Sequence, residues 1–234
     1  MTDFKSFEFI SGNRDKGMVI LGDHAMRNLP ERYGRLGLPE TAFSRHIAYD
    51  IGIESLCRKL SARLGVPSVL GGFSRLLIDP NRGEDDPTLI MKISDGAIVP
   101  GNHPITDEEW ERRLETYHRP YHNAVDTVLT RTVETSGKAP LVFSLHSYTP
   151  FWKSVPRPWH AAVLWDTDHR AVHPLNQTTR RGARLGAGGA LGVGDHVLLD
   201  PIQFLIGEPE RAGLLKVRRD RFQRRLPLFR TRAR

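Results

Sequence analysis

Residues 141–150 read Leu-Val-Phe-Ser-Leu-His-Ser-Tyr-Thr-Pro, LVFSLHSYTP. Leu141, Val142 and Phe143 have strand character and deliver one histidine, His146, into a Ser-Leu-His-Ser-Tyr-Thr-Pro turn too polar for a core. A buried strand that ends on histidine with hydroxyls on both sides is a common way to build a metal or catalytic corner at the carboxyl edge of an α/β sheet. The plainer alternative is a strand end whose histidine is solvated or merely hydrogen-bonded. The company His146 keeps has to decide between the two.

Working outward, residues 17–23 (GMVILGD) form a second apolar run closed by Gly and Asp, and it too ends on a histidine, His24. Pro and Gly recur through residues 24–39, so that stretch cannot be one regular helix. Residues 40–64 turn helical, with Ile47, Ile51, Leu56, Leu60 and Leu64 near helical spacing and Gly65 as the stop. On that helix His46 and Asp50 share a face, for which a surface hydrogen bond is the simpler account. Residues 66–70 are a short strand broken by Gly71-Gly72. In FSRLLIDPNR (73–82), Arg75, Asn81 and Arg82 flank an apolar centre; they can fork onto a carboxylate, or Asp79 can pair locally with Arg82.

Residues 83–102 read as a long surface loop with a short β element at 89–93. A helix starts at Thr106, the N-cap, with Glu109 three residues on and acids in the first turn. Trp110, Leu114, Tyr117, Tyr121, Val125 and Val128 line one side of it, and Pro120 predicts a kink or two segments. His118 and His122 lie four apart beside that kink, either paired on a metal or forming a polar stripe that faces a cleft. After a turn at Ser136-Gly137 come the strand that opens at Leu141 and another at 161–165. Strands alternating with helices predict a single α/β domain with a mainly parallel or mixed sheet and helices on both faces.

The chain has 234 residues, 39% hydrophobic and 26% charged, as expected of a soluble globular protein with a full core. Its one cysteine, Cys57, excludes a disulfide framework and fits a reducing compartment. The N-terminal MTDFKSFEF shows no signal peptide and no apolar run is long enough for a membrane span, so a cytoplasmic protein without membrane contact is expected. The net charge of +7 is unevenly placed: residues 177–234 hold 13 of the 34 basic residues but only 5 of the 27 acidic ones, which leaves residues 1–176 close to neutral. Composition therefore divides the chain into an α/β domain, 1–176, and an atypical, poorly ordered Gly/Arg-rich segment, 177–234. Few aromatics interleave the basic run, so nucleic-acid binding ranks last.

GDHAMRNLP (22–30), RHIAYDIG (45–52), FSRLLIDPNR (73–82), SDGAIVPGN (94–102), YHRPYHNAV (117–125), FSLHSYTP (143–150) and RPWH (157–160) occur in that order. Together they resemble the N-formylglutamate amidohydrolase family. The resemblance implies a fold similar to zinc-dependent exopeptidases, of the phosphorylase/hydrolase-like type. It implies a divalent metal, most simply Zn²⁺, on His24 and His146. His-x-x-Glu, the exopeptidase motif, is absent because Arg27 stands three residues after His24; of the carboxylates Asp23, Asp50 and Asp79, Asp50 is the expected third ligand. Arg75, Asn81 and Arg82 would hold substrate carboxylates, and Asp79, His122, Ser147 and Arg157 would line the site. The implied reaction is hydrolysis of the formamide bond of a small N-acyl amino acid, N-formyl-L-glutamate giving formate and glutamate, as in histidine breakdown.

One departure lies near the C-terminus. The family ends on a strand of the type Ile-Glu-Val-Arg-x-Asp, whose glutamate sits where exopeptidases keep their general base, and the nearest match here, LKVRRD, puts Lys216 in its place. An ammonium does not deprotonate water at neutral pH. Either the base is lost, which makes the chain a catalytically impaired binding protein for acidic metabolites, or residues 177–234 are the product of a shifted reading frame. The abrupt change of composition after Asn176 favours the second.

Overall fold

The chain runs through β1 (Phe7–Ile10), β2 (Met18–Gly22), α1 (Ile53–Leu64), β3 (Ser68–Gly71), a hairpin of β4 (Ile93–Ser94) and β5 (Ala97–Ile98), and α2 (Asp107–Arg113). It continues through α3 (Arg119–Ser136), β6 (Leu141–Ser147), a hairpin of β7 (Phe151–Trp152) and β8 (Val155–Pro156), β9 (Ala161–Leu164) and β10 (Ile202–Leu205). This is a computed structural model, and it describes residues 4–149, 151–152, 154–156, 161–164 and 202–205. Lys216 and Arg157 lie outside the described residues.

Six strands form one sheet in the order β1-β3-β2-β6-β10-β9. β2 runs parallel to β3 and β6, and β9 parallel to β10, while β1 on β3 and β10 on β6 are antiparallel. The sheet is thus mixed, as an α/β chain allows. In β2, Val19, Ile20 and Leu21 have no exposed surface, which makes this the central strand, each side chain contributing about 1.5–3 kcal/mol of burial. Alternation sends Val19 and Leu21 to the face that α3 covers with Tyr121, Val125, Val128 and Leu129, and Ile20 to the face that α1 covers with Ile53 and Cys57.

From β2 the chain moves to β3 on one side, then returns to β6 on the other, so order reverses between β2 and β6. In open α/β sheets the crevice outside the strand ends at such a reversal is where ligands bind. His24 follows β2 and His146 sits near the end of β6, on the two sides of this crevice.

One helix over 40–64 does not form. A 3-10 turn occupies Glu40–Ser44, and α1 begins only at Ile53, after Gly52 in the left-handed conformation (φ 84°). The apolar residues explain why: Ala42, Phe43, Ile47 and Ala48 join the core on the α3 face, whereas Ile53 and Cys57 join the one on the α1 face. A single helix cannot bury its stripe on both faces of a sheet, so the chain passes over the sheet edge between Ala48 and Ile53. Asp50 lies in that crossing, and His46 does not share a helix face with it; His46 instead lies 3.6 Å from Asp95 at the surface.

The β element expected at 89–93 is displaced to the hairpin at Ile93–Ser94 and Ala97–Ile98. Leu89 and Ile90 are buried core side chains, and the Leu89 carbonyl accepts from the Asp79 amide. Thr106 caps α2 by accepting from the Glu109 amide, as its sequence predicts. Between α2 and α3 the helix widens into a π turn over Leu114–His118, with Pro120 in the first turn of α3. Proline has no N–H for the carbonyl four residues back and its ring crowds it, so a widened turn there relieves the conflict.

Candidate active site

Three buried acids and two buried histidines converge at the β2–β6 crevice. Asp23 and His24 follow directly on β2, held in a tight turn in which the Ala25 amide donates to the Gly22 carbonyl. Asp50 is brought to His24 by the backbone, its amide donating to the His24 carbonyl at 2.9 Å. Asp79 belongs to the 73–82 loop, which is pinned from below: buried Arg113 donates to the Leu77 carbonyl and to Asn102, and Asn102 donates to the Leu76 carbonyl.

His24 places Nδ1 3.4 Å from Asp50 Oδ2 and Nε2 2.6 Å from Asp79 Oδ1. His146 places Nδ1 2.8 Å from the same Asp50 oxygen and Nε2 3.2 Å from Asp23 Oδ2. The two rings meet edge to face with centroids 5.1 Å apart. Arg75 donates to Asp79 at 3.0 Å and to Asp50 at 3.4 Å.

Burial opposes the charge on Asp50, yet His24 and His146 beside it outweigh burial and hold its carboxyl well below the usual carboxylate range. Asp79 is held low in the same way by His24 and Arg75. Burial alone would lower the His146 imidazole; Asp23 and Asp50 prevail and raise it to about 9. Desolvation works against the charge on half-buried Arg75, yet Asp79 and Asp50 beside it hold it more firmly charged than a free guanidinium.

Of the other residues expected at the site, Arg82 sits at its rim, half-buried, with Nε 3.9 Å from Asp79 and a terminal nitrogen 3.6 Å from Asp86. Asn81 donates its backbone amide to Asp79 Oδ1. His122 is buried against His118, with Nε2 atoms 3.2 Å apart, and His118 Nε2 lies 2.9 Å from the Arg82 carbonyl. The pair thus supports the Arg82 backbone and does not join the His24–Asp50–His146 group. Ser147 is half-buried one position past His146, where strand alternation directs it to the opposite face. Tyr121 and Ser144 were not expected: Tyr121 donates to Asp23 Oδ1 at 2.5 Å and Ser144 to Asp23 Oδ2 at 2.8 Å. Tyr121 reads in the sequence as one more member of an apolar stripe, and its hydroxyl meets a partner 98 residues away that no local pattern reports.

Among the described residues, His24, Asp50 and His146 are the group that can hold a metal ion, with ligand atoms all within 4.8 Å of one another. Two imidazoles and a carboxylate are a donor set suited to Zn²⁺ with a position left open for catalysis, and all three are buried, so the residues fit such an ion.

The fold is a mixed α/β sheet with buried acids and histidines gathered at its topological switch, where open α/β sheets bind ligands. The sequence model of the family described as N-formylglutamate amidohydrolase matches residues 17–191, and the chain belongs to that family of hydrolases. Among solved structures, it is similar to a gene product from Agrobacterium tumefaciens, at 26% identity and TM-score 0.71, over 92% of this chain and 79% of that one. It shares its fold with an N-formylglutamate amidohydrolase from Ralstonia eutropha, at 19% identity and TM-score 0.56, over 92% of this chain and 93% of that one. Among curated proteins none matches. No helix among the described residues is long and apolar enough to cross a membrane.

Proposed function

We propose that the protein hydrolyses the formamide bond of an N-formyl amino acid, N-formyl-L-glutamate first among candidates, with a divalent metal held by His24, Asp50 and His146. The observation that carries this reading is the convergence of those three side chains at the β2–β6 crevice. When bound, the metal supplies Lewis-acid polarisation of the formyl carbonyl and makes water a competent nucleophile near neutral pH.

The rest is the work of the chain. Arg82, at the rim and only loosely held by Asp79 and Asp86, is free to turn its fork onto a substrate carboxylate. Arg75 is committed to Asp50 and Asp79, so its part is to fix those acids and lend the pocket positive charge toward an anionic substrate. Water adds to the formyl carbon, the C–N bond breaks, and the amine leaves with a proton, giving formate and the free amino acid. In the sequence, Lys216 falls where the resemblance leads one to expect the general base, and that supports the second reading, a binding protein for acidic metabolites.

Formate release separates the readings. Purified protein should contain about one zinc per chain and liberate formate from N-formyl-L-glutamate, and His146→Ala should lose both. Zinc without turnover, together with calorimetric binding of N-formyl-L-glutamate that vanishes in Arg82→Ala, would select the binding protein. Metal content equal in wild type and His146→Ala would reject the metal site.

A further inference from the structure

Each histidine of the cluster turns one ring nitrogen to Asp50 and the other to a second buried acid. For His24 the outer acid is Asp79, and for His146 it is Asp23. We propose that Asp23, locked in place by Tyr121 and Ser144, is the positioning residue that holds the His146 ring with Nδ1 toward the metal, and that Asp79 does the same for His24. This inference rests on the metal reading above and adds to it how the ligand rings are aimed.

A neutral imidazole has one N–H and one lone pair. A carboxylate at Nε2 takes the N–H there, which leaves the lone pair on Nδ1, the atom that faces Asp50 in both rings. Such outer acids fix the tautomer and orientation of a metal-ligating histidine and raise its basicity. Asp23 has no exposed surface, and a buried carboxylate with one partner is costly. Its Oδ1 receives the Tyr121 hydroxyl and its Oδ2 the Ser144 hydroxyl, and His146 Nε2 lies 3.2 Å from that Oδ2 and equally 3.2 Å from Ser144 Oγ, so three groups from α3 and β6 meet at this acid. Nor does Asp23 belong to the group able to hold the ion. Asp79 is similarly spent, on His24, Arg75 and the Asn81 amide.

The π turn at Leu114–His118 fits into this arrangement. One extra residue in a helical turn rotates everything after it by about 100°, and Tyr121 is the third residue of α3. The widened turn thereby sets the direction in which Tyr121 reaches Asp23, and α3 becomes a brace for a ligand ring on β6.

The test titrates Zn²⁺ into metal-free full-length protein by chelator competition and follows the histidine ring nitrogens by NMR with zinc bound. His146→Ala should lose the site. Asp23→Asn, which removes the charge and puts an amide donor where an acceptor stood, should weaken zinc binding about 10- to 100-fold, with a smaller loss in Tyr121→Phe and Ser144→Ala. In the zinc-loaded wild type the His146 proton should be found on Nε2 in a strong hydrogen bond, and that signal should move in Asp23→Asn and, less, in Tyr121→Phe. Should Asp23→Asn fail to fold, Tyr121→Phe decides by the same two readouts. Unchanged zinc affinity and an unmoved Nε2 signal in these variants, alongside a weakened His146→Ala, would overturn the positioning role while leaving the metal site standing. Wild-type zinc binding by His146→Ala would overturn both.

Discussion

Arg75 and Arg82 bring the same charge to the same loop, yet the structure engages them differently. Arg75 spans Asp50 and Asp79, whereas Arg82 touches Asp79 only at 3.9 Å. Arg82→Ala should therefore act on substrate, raising KM by ~10- to 100-fold, as loss of a charged hydrogen bond worth about 1.5–3 kcal/mol implies, with zinc content unchanged. Arg75→Ala should act on the fold, leaving two buried acids less well compensated at a cost on the order of 3 kcal/mol in a denaturant melt of the metal-free protein. Equal effects of the two variants on KM would refute this division. His146 sets a pH signature: its folded pKa of about 9 lies above the unfolded value of about 6.5. The stabilisation is complete below about pH 6.5 and is lost as pH rises through 9, so the metal-free protein should melt progressively lower over that window. His146→Ala should flatten the slope. At this scale Arg75 and Arg82 read alike in the sequence, as flanks of one apolar turn, and only their partners divide them, while the meeting of His24 and His146 was legible because an apolar run stopping on a histidine is a local signal. The hydroxyls of Tyr121 and Ser144 were not, since their meaning depends on a carboxylate far away in the chain.

Close approach between elements explains two of the glycines. A Cβ on Gly71 would lie 2.2 Å from the Asp23 carbonyl oxygen, and one on Gly22 would lie 2.8 Å from Cys57 Sγ. β3 and α1 are thus packed hard against the turn that carries Asp23 and His24. Gly71→Ala should push that turn aside, costing about 1–3 kcal/mol or more of stability and weakening zinc binding along with it. Cys57, wedged under Gly22 with its thiol pushed up by burial to about 12, should resist alkylation in the native protein and react only on unfolding. Rapid modification under native conditions would show that α1 opens. Elements were most readable where they obey one period: β2, the cap of α2 at Thr106 and the stop of α1 at Gly65 fall where pattern and cap residues put them, whereas β6 opens at Leu141 as expected but continues as strand through residues 144–147, paired with β10, where a turn was expected. They were misread where one period serves two faces. Ile47, Ile51 and Leu56 look like one stripe in a linear sequence, and only the sheet shows that Ile47 and Leu56 pack against opposite sides of it.

For the molecule as a whole, the order reversal between β2 and β6 gathers residues from four separate regions of the chain at one crevice. The α/β class followed from alternating strands and helices, but the sheet's antiparallel edge, β1 on β3, did not, because a four-residue FEFI segment carries little periodic signal. The acid–histidine junction also has a consequence for how the chain is tied. Asp50 reaches His24 across 26 residues and His146 across 96. Closing a 96-residue loop costs an unfolded chain roughly 1 kcal/mol more than closing a 26-residue one, a slow logarithmic growth. An ion seated on all three side chains would work as a removable cross-link, holding both loops closed while bound and returning their closure entropy to the chain when it leaves. Chelation should then lower the melting temperature of wild type and leave His146→Ala unmoved. The length of chain that comes loose would be set by loop connectivity, with the short 24–50 tether the cheaper of the two to re-form.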